Sequence, residues 1–238
     1  MPGTTPPAPQ RAHAVLWDLD GVLADTEALL LEAERDAFAA YGAEVTTEFK
    51  RSFVGRGGTR VLAAMAEALG VDADLDDLAR RKLDGYARRL PFLQGFPQTR
   101  AMVRQLDAAG VPQAVASGSP AEAIRAALHL VGLADVLTTV VSADEVAAGK
   151  PAPDAFLEAA RRLGVAPAGC VVVEDAVPGV LAAAAAGMRC VAIPSVVDPL
   201  DPRFAAADVV VAGGMAAVDP EALVGWALGD DRGAARPA

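Results

Sequence analysis

Residues 14–27 read AVLWDLDGVLADTE, and this stretch decides the fold because an apolar run ends abruptly in closely spaced acids. The apolar part has the character of a buried strand, and Asp18 and Asp20 follow it directly. Two carboxylates held side by side repel each other, which costs free energy. We therefore expect a ligand at the end of this strand that makes the repulsion tolerable.

Short apolar runs of the same kind recur along the chain and alternate with helix-like segments. The strand-like runs cover residues 13–18, 111–116, 137–141, 169–174, 189–193 and 208–211. The helix-like segments of this alternation cover residues 97–109, 120–131, 153–163 and 177–186. Such alternation is typical of a parallel sheet with helices on both faces. The sequence therefore predicts a doubly wound, Rossmann-like α/β core.

The segment between the first two strands, residues 27–90, breaks this alternation. It contains no convincing strand, and its helical stretches are 27–41, 59–69 and 73–89. A crossover between parallel strands needs only one helix, so the extra helices indicate an insertion. We predict a helical cap at 27–92, a core made of 13–26 and 93–230, and a loose, Pro-rich tail at 1–12.

Chemically active side chains follow four of the predicted strands. They are Asp18 and Asp20 after the first strand, Ser117 and Ser119 after the second, Lys150 after the third, and Glu174 and Asp175 after the fourth. Each group alone has an ordinary explanation, such as a helix cap or a solvated loop lysine. In open α/β sheets, however, ligands bind outside the carboxyl ends of the strands. We therefore expect these residues to meet in one site.

The charges of this group narrow the chemical class of the expected ligand. Four carboxylates and one lysine leave the site strongly negative, so a cation is expected. Carboxylate oxygens without nearby His or Cys suit Mg²⁺ before Ca²⁺, and Mg²⁺ commonly shares its coordination with a phosphate. At an effective dielectric near 20, unit charges 4 Å apart interact by about 4 kcal/mol, so a carboxylate can approach a phosphate only if Mg²⁺ and Lys150 offset the repulsion. The pattern predicts phosphoryl transfer.

The two aspartates of the opening stretch can then take different roles. Asp18, at the tip of the strand, is the expected nucleophile and forms an aspartyl-phosphate. Asp20, crowded by negative neighbours, is expected to carry a proton part of the time and to act as general acid and base. Ser117 is expected to hydrogen-bond the transferring phosphoryl group, helped by the backbone N–H groups near Gly118 and Ser119.

Four ordered motifs resemble those of the haloacid dehalogenase-like superfamily, over residues 13–225. The motifs are DLDGVLADTE (18–27), ASGS (116–119), GKPAPD (149–154) and VVVEDAVPG (171–179). Together they are far more specific than any one alone. Within the superfamily, the chain is most similar to the helical-cap branch that contains β-phosphoglucomutase and small sugar-phosphate phosphatases.

The resemblance implies a Mg²⁺-dependent enzyme with the same division of roles. Asp18 and Asp20 correspond to the nucleophile and the acid/base, and Ser117 and Lys150 to the phosphoryl-binding pair. The metal-binding acids implied are Asp18, Asp20, Glu174 and Asp175. The second aspartate of the first motif counts against a dehalogenase, because departure of a halide needs no proton.

Departures from the mutase pattern favour hydrolysis. The mutase branch carries a His where this chain has Leu30, and a phosphate-anchoring Arg where it has Gly58. The cap loop GRGGTR (55–60) is expected to contact substrate through Gly55 and Arg56. We therefore expect a phosphatase for a small sugar or polyol phosphate, with a β-phosphoglucomutase-like phosphotransferase as the alternative. A receiver-type regulatory module would have its motifs in the reverse order and no helical insert.

Composition limits the partners. The net charge of −10 disfavours nucleic acid and anionic membrane surfaces, but it is compatible with a small phosphorylated metabolite. No apolar run approaches the roughly 18 residues that span a bilayer, and the start lacks the apolar region of a secretory signal.

Cys170 and Cys190 are expected to be buried, reduced thiols of a cytoplasmic protein. A monomer is the default expectation, and the basic runs 80–82 and 88–89 are expected to form a solvated helix face.

Overall fold

Six parallel strands form one sheet in the computed structural model, which describes residues 11–51, 53, 59–195 and 199–229. The strands are β1 (Ala14–Trp17), β2 (Gln113–Ser117), β3 (Thr139–Ser142), β4 (Cys170–Glu174), β5 (Arg189–Ala192) and β6 (Val209–Val210). Their order across the sheet is β3-β2-β1-β4-β5-β6. This is the order of a Rossmann-type doubly wound sheet, so the predicted fold class is confirmed. The order reverses direction between β1 and β4, whose carboxyl ends carry the four acids.

Helices account for most of the remaining described chain. They are α1 (Thr26–Ala39), α2 (Thr47–Arg51), α3 (Thr59–Leu69), α4 (Leu75–Arg89), α5 (Pro97–Ala108), α6 (Ala121–Leu130), α7 (Asp154–Leu163), α8 (Val177–Ala185) and α9 (Pro220–Leu228). Helix α9 is not among the helices predicted from the sequence. Its signals are nevertheless present, because the Asp219 carboxylate accepts backbone N–H groups of the first turn and Gly229 ends the helix with a left-handed conformation.

The central strand β1 is buried on both faces, which explains its uninterrupted apolar character. Val15 and Trp17 pack in one apolar cluster with residues of α5, α6 and α9. Ala14 and Leu16 face the other side and pack with residues of α7 and α8. Two layers of helices therefore hold β1 in place and fix the position of the acids that follow it.

Helices α1 to α4 lie between β1 and β2 in the chain and share an apolar cluster of their own. Gly85 of α4 lies against α1 so closely that a Cβ would sit 3.2 Å from Ala33 Cα. Lys82 of α4 contacts the buried Glu34 of α1, so the expected solvated face over 80–82 is wrong for this residue. The close approach of the two helices turns its side chain inward. The domain limits of 27–92 stay a prediction.

The two chain segments that connect these helices to the sheet run side by side. Asp25 N donates to Gln94 O at 2.9 Å, and Ala24 forms a β-bridge with Gly95.

Cys170 and Cys190 are both free and buried. Over the part of the chain that the structure describes, no helix is both long and apolar enough to cross a membrane.

Candidate active site

The loop after β1 places the first predicted site residues against β4. Asp18 N donates to Val173 O at 2.9 Å, and the Asp18 side chain is buried. Gly21 follows with a φ of +79°, and a Cβ at this position would lie 2.2 Å from Asp175 Oδ2. Only glycine therefore lets the chain turn so close to Asp175.

Lys150 joins the ends of three strands. Its Nζ donates to Ala116 O at 3.0 Å and to Glu174 Oε1 at 2.7 Å, and it also contacts Asp18 Oδ1. The ammonium group lies 4.8 Å from the centroid of the Phe156 ring. Burial alone would lower the pKa of Lys150, but the charges of Asp18 and Glu174 and their hydrogen bonds outweigh it and raise the pKa. Lys150 is therefore a permanent cation in this cluster.

Both carboxylate oxygens of Glu174 are engaged. Oε1 accepts from Lys150, and Oε2 accepts the backbone N–H groups of Asp175 at 2.8 Å and Ala176 at 2.9 Å. The carboxylate lies just before α8 begins, where the partial positive charge of the helix favours an anion. Gly179 leaves room for it, because a Cβ there would lie 1.7 Å from Glu174 Oε1.

Replacing Gly179 with alanine therefore tests the packing of Glu174. In a helix, Gly→Ala ordinarily stabilises by roughly 1 kcal/mol. Here we expect a loss of about 1–3 kcal/mol in the free energy of unfolding, because the new methyl group displaces a buried carboxylate. The measurement is urea unfolding, with Gly149→Ala as control, since its Cβ would meet only Ala143 Cβ at 4.0 Å. A stabilised Gly179→Ala variant would contradict the described position of Glu174.

Three hydroxyl groups hold the Asp20 carboxylate. Oδ1 accepts from Thr26 Oγ1 at 2.6 Å, and Oδ2 accepts from the Oγ atoms of Ser117 and Ser119 at 3.2 Å each. Ser117 Oγ also accepts the N–H of Ser119 at 3.1 Å. Negative neighbours of Asp20 are expected from the sequence, whereas its contact with Thr26 is not. The position of Thr26 could have indicated this contact. Thr26 directly follows Asp25, the N-cap residue of α1, so its hydroxyl lies at the end of the helix that faces the loop.

A cavity of about 180 Å³ opens onto these groups. Its lining residues are Asp18, Asp20, Glu27, Gly118, Lys150, Glu174, Asp175, Ala176, Pro178 and Gly179. The structure thus brings the predicted residues from four strand ends together, with Ser117 and Ser119 attached through Asp20. Glu27 of α1 also lines the cavity, although the sequence alone does not single it out as a site residue. The predicted substrate contacts Gly55 and Arg56 lie outside the described residues.

A wider and shallower groove of about 470 Å³ runs along α7. Glu145, Asp154 and Arg161 are among its lining residues, and it includes none of the predicted site residues. The smaller cavity is therefore the candidate active site, because it alone of the two combines concave shape with convergent acids and a buried cation.

Two buried acids of the cluster, Asp18 and Asp175, resist ionisation. Burial raises the pKa of Asp18 to about 8, with Lys150 opposing the rise and Glu174 and Asp20 adding to it. Burial, followed by the charges of Glu174 and Asp18, also raises the pKa of Asp175 well above its ordinary value. One ammonium group does not balance these carboxylates. A further cation would allow all of them to ionise.

The oxygen atoms that remain free suit such a cation. Glu174 and Asp20 use both oxygens in hydrogen bonds, whereas Asp18 Oδ2 and Asp175 Oδ1 accept none from the described residues. No three described His, Cys, Asp or Glu side chains are arranged as a ready-made metal centre. The residues therefore fit a hard ion held by two carboxylates and completed by other oxygens, as Mg²⁺ commonly is. The predicted set of four metal-binding acids stays a prediction.

Comparison with protein families gives one match over most of the chain. The model of the haloacid dehalogenase-like hydrolases matches residues 12–187. That stretch contains all of the residues that line the cavity. The match is consistent with the sheet order and with the position of the acids at the carboxyl ends of β1 and β4.

The similarity to individual proteins covers very different shares of their lengths. The chain is 39% identical over 189 residues to the chloroplastic protein SUPPRESSOR OF QUENCHING 1 of Arabidopsis thaliana, covering 77% of this chain but only 18% of that protein. It is 35% identical over 182 residues to the fructose-1-phosphate phosphatase YqaB of Escherichia coli (strain K12), covering 76% and 96%. A crystal structure of a HAD family hydrolase from Deinococcus radiodurans R1, with bound phosphate and sodium, matches with a TM-score of 0.77 at 28% identity, covering 92% and 98%.

Proposed function

Because the chain belongs to the haloacid dehalogenase-like hydrolases, we propose that it hydrolyses a small sugar or polyol phosphate monoester through an aspartyl-phosphate on Asp18. Membership of the family and the similarity to a sugar phosphatase support the proposal of a phosphoric monoester hydrolase. The finer proposal is carried by one observation, the buried ammonium of Lys150 between Asp18 and Glu174 at the cavity. A nucleophilic carboxylate and a fixed cation are the parts that phosphoryl transfer needs.

In the first step, a carboxylate oxygen of Asp18 attacks phosphorus and the bond to the ester oxygen breaks. Lys150 offsets the repulsion between the attacking carboxylate and the phosphate, and it needs no rearrangement because it already contacts Asp18. Ser117 can turn its hydroxyl from Asp20 to a phosphoryl oxygen, with the N–H groups near Gly118 as further donors.

Asp20 moves the proton in both steps. It gives a proton to the departing ester oxygen and then takes one from the water that attacks the aspartyl-phosphate, releasing inorganic phosphate. The hydrogen bonds from Thr26, Ser117 and Ser119 fix the orientation of its carboxyl group. Two adjacent aspartates therefore serve different purposes because one is bound by an ammonium group and the other by hydroxyls.

Phosphatases of this family generally use Mg²⁺, and we propose that Asp18 and Asp175 hold it here. When bound, the ion would neutralise charge on the phosphoryl oxygens. Glu174 would act indirectly by holding Lys150, and Asp20 would keep its contacts with Thr26 and Ser119. This assignment uses the two acids that have an oxygen free of hydrogen bonds among the described residues.

The helical insert belongs to the same proposal. Residues 27–92 would form a cap that closes over the substrate, with 13–26 and 93–230 as the catalytic core. Glu27 supports this arrangement, since it lies in the first turn of α1 and lines the cavity beside the catalytic acids. Closure would exclude bulk water until the ester is engaged. The cytoplasmic location and the monomeric state belong to this proposal as well.

The test is release of phosphate from a panel of sugar, polyol and nucleotide monophosphates. We expect turnover of a few small sugar or polyol phosphates, loss of turnover with EDTA, and recovery on addition of Mg²⁺. Mg²⁺ should also raise the unfolding temperature, because a ligand that binds only the folded state stabilises it.

Three outcomes would overturn parts of the proposal. Turnover that is indifferent to EDTA would exclude the metal, and nucleotides as the preferred substrates would exclude the substrate class. Conversion of β-glucose 1-phosphate to its isomer without phosphate release, dependent on a bisphosphate activator, would establish the phosphotransferase instead.

A further inference from the structure

A serine outside the cavity holds one oxygen of Asp175. The hydroxyl of Ser195 donates a hydrogen bond to Asp175 Oδ2. Asp175 is buried and lines the cavity, whereas Ser195 is exposed and is not one of the lining residues. Ser195 can therefore influence the cavity through the carboxylate of Asp175.

The backbone that leads to Ser195 is fixed against its neighbours. Ile193 follows β5 directly, its side chain is fully buried, and its N–H donates to Glu174 O at 2.7 Å. Pro194 packs closely against Gly214, where a Cβ would lie 3.0 Å from Pro194 O. These contacts set the position from which the Ser195 hydroxyl reaches Asp175.

The loop after β1 encloses the same oxygen of Asp175. A Cβ on Gly21 would lie 2.2 Å from Asp175 Oδ2 and 3.1 Å from Ser195 Oγ. Asp175 Oδ2 therefore packs against the Gly21 backbone as well as the Ser195 hydroxyl. Asp175 Oδ1 accepts no hydrogen bond from the described residues, so it is the oxygen that is left for a ligand.

A carboxylate held in this way distinguishes between hard cations. Mg²⁺ demands near-ideal octahedral geometry, whereas Ca²⁺ takes more oxygen ligands in a flexible arrangement and accepts both oxygens of one carboxylate. With Oδ2 engaged by a hydroxyl, Asp175 offers a cation a single oxygen in a fixed direction. This arrangement suits Mg²⁺ and removes an advantage of Ca²⁺.

We propose that Ser195 is a positioning residue for metal selection, which holds Asp175 as a single-oxygen ligand and so favours Mg²⁺ over Ca²⁺. The inference rests on the proposed function, because it concerns the ion assigned to Asp18 and Asp175. Ser195 acts through Asp175 and takes no part in the proton transfers. Hydrogen-bond partners of metal ligands typically contribute about 10–100-fold to metal affinity.

Titration of the unfolding temperature with each metal tests this role without substrate. Ser195→Ala should need about tenfold more Mg²⁺ than the wild type, or more, for the same rise in unfolding temperature. Its requirement for Ca²⁺ should change by less than about threefold, because the freed Oδ2 can bind the larger ion and offset the lost orientation. In phosphate release, added Mg²⁺ should largely recover kcat, so the loss appears in the concentration of Mg²⁺ required.

Two further variants separate this role from a structural one. Ser195→Thr keeps the hydroxyl and should restore the affinity for Mg²⁺. Thr138→Ala is the matched control, because it removes an exposed hydroxyl just before β3, at the opposite end of the sheet, and should leave both metal affinities unaltered. In EDTA, Ser195→Ala should unfold within about 2 °C of the wild type, as is usual for substitutions at exposed positions.

The outcomes distinguish this inference from the proposed function. An unchanged affinity for Mg²⁺ in Ser195→Ala, or equal losses for Mg²⁺ and Ca²⁺, would overturn the inference and leave the proposed function standing, provided that the wild type releases phosphate with Mg²⁺. Absence of phosphate release by the wild type from every ester would overturn the proposed function itself.

Discussion

Asp18→Asn should abolish turnover while leaving the protein folded. Removing the nucleophile from an enzyme that works through a covalent intermediate costs on the order of 10⁶-fold in kcat. The fold should survive, because the substitution takes one negative charge out of a cluster of like charges and Lys150 keeps its contact with Glu174. Steady-state phosphate release and urea unfolding measure the two expectations separately.

A matched control is Asp107→Asn, which makes the same change at an exposed position of α5. It should leave kcat and unfolding unaltered. Borohydride treatment of quenched wild-type enzyme adds an independent readout, since it reduces an aspartyl-phosphate to homoserine that peptide mass spectrometry can locate. Homoserine at another residue, or more than a few per cent of wild-type activity in Asp18→Asn, would contradict the assignment of Asp18.

The core of the site could be predicted from the sequence because its residues directly follow strands. In a parallel sheet with helical crossovers, the strand ends meet at one edge, so residues far apart in the chain converge without any knowledge of side-chain packing. The acids after β1 and β4 illustrate this, since these strands are neighbours at the point where the sheet order reverses. The roles given to Asp18 and Asp20 nevertheless stay predictions.

The contacts within the helical insert could not be predicted in the same way. Glu34 and Lys82 meet because α1 and α4 approach closely at Gly85, a distance that hydrophobic periodicity does not specify. Basic residues in a run normally form a solvated face, which explains the wrong expectation for Lys82. Strand ends are fixed by topology, whereas contacts between helices depend on their packing.

Lys150→Met should impair stability and turnover together. Its removal leaves Asp18 and Glu174 facing each other in a buried site, and breaking a buried ion pair typically costs about 3–5 kcal/mol. Urea unfolding with EDTA present should show a loss of this size. With Mg²⁺ present, kcat should fall on the order of 10³ to 10⁵-fold, the range known for loss of a cation that stabilises phosphoryl transfer.

A second substitution separates the two effects. Adding Glu174→Gln to Lys150→Met removes one of the two carboxylate charges left without a cation, while the amide oxygen can still accept the N–H groups of Asp175 and Ala176. The double variant should recover about 1–3 kcal/mol of stability, the cost of one buried unsatisfied group, without regaining turnover. This non-additivity is expected for residues in direct contact. If turnover instead returned with stability, Lys150 would only hold the strand ends together, and the cation that offsets the phosphate charge would have to be sought elsewhere in the cavity.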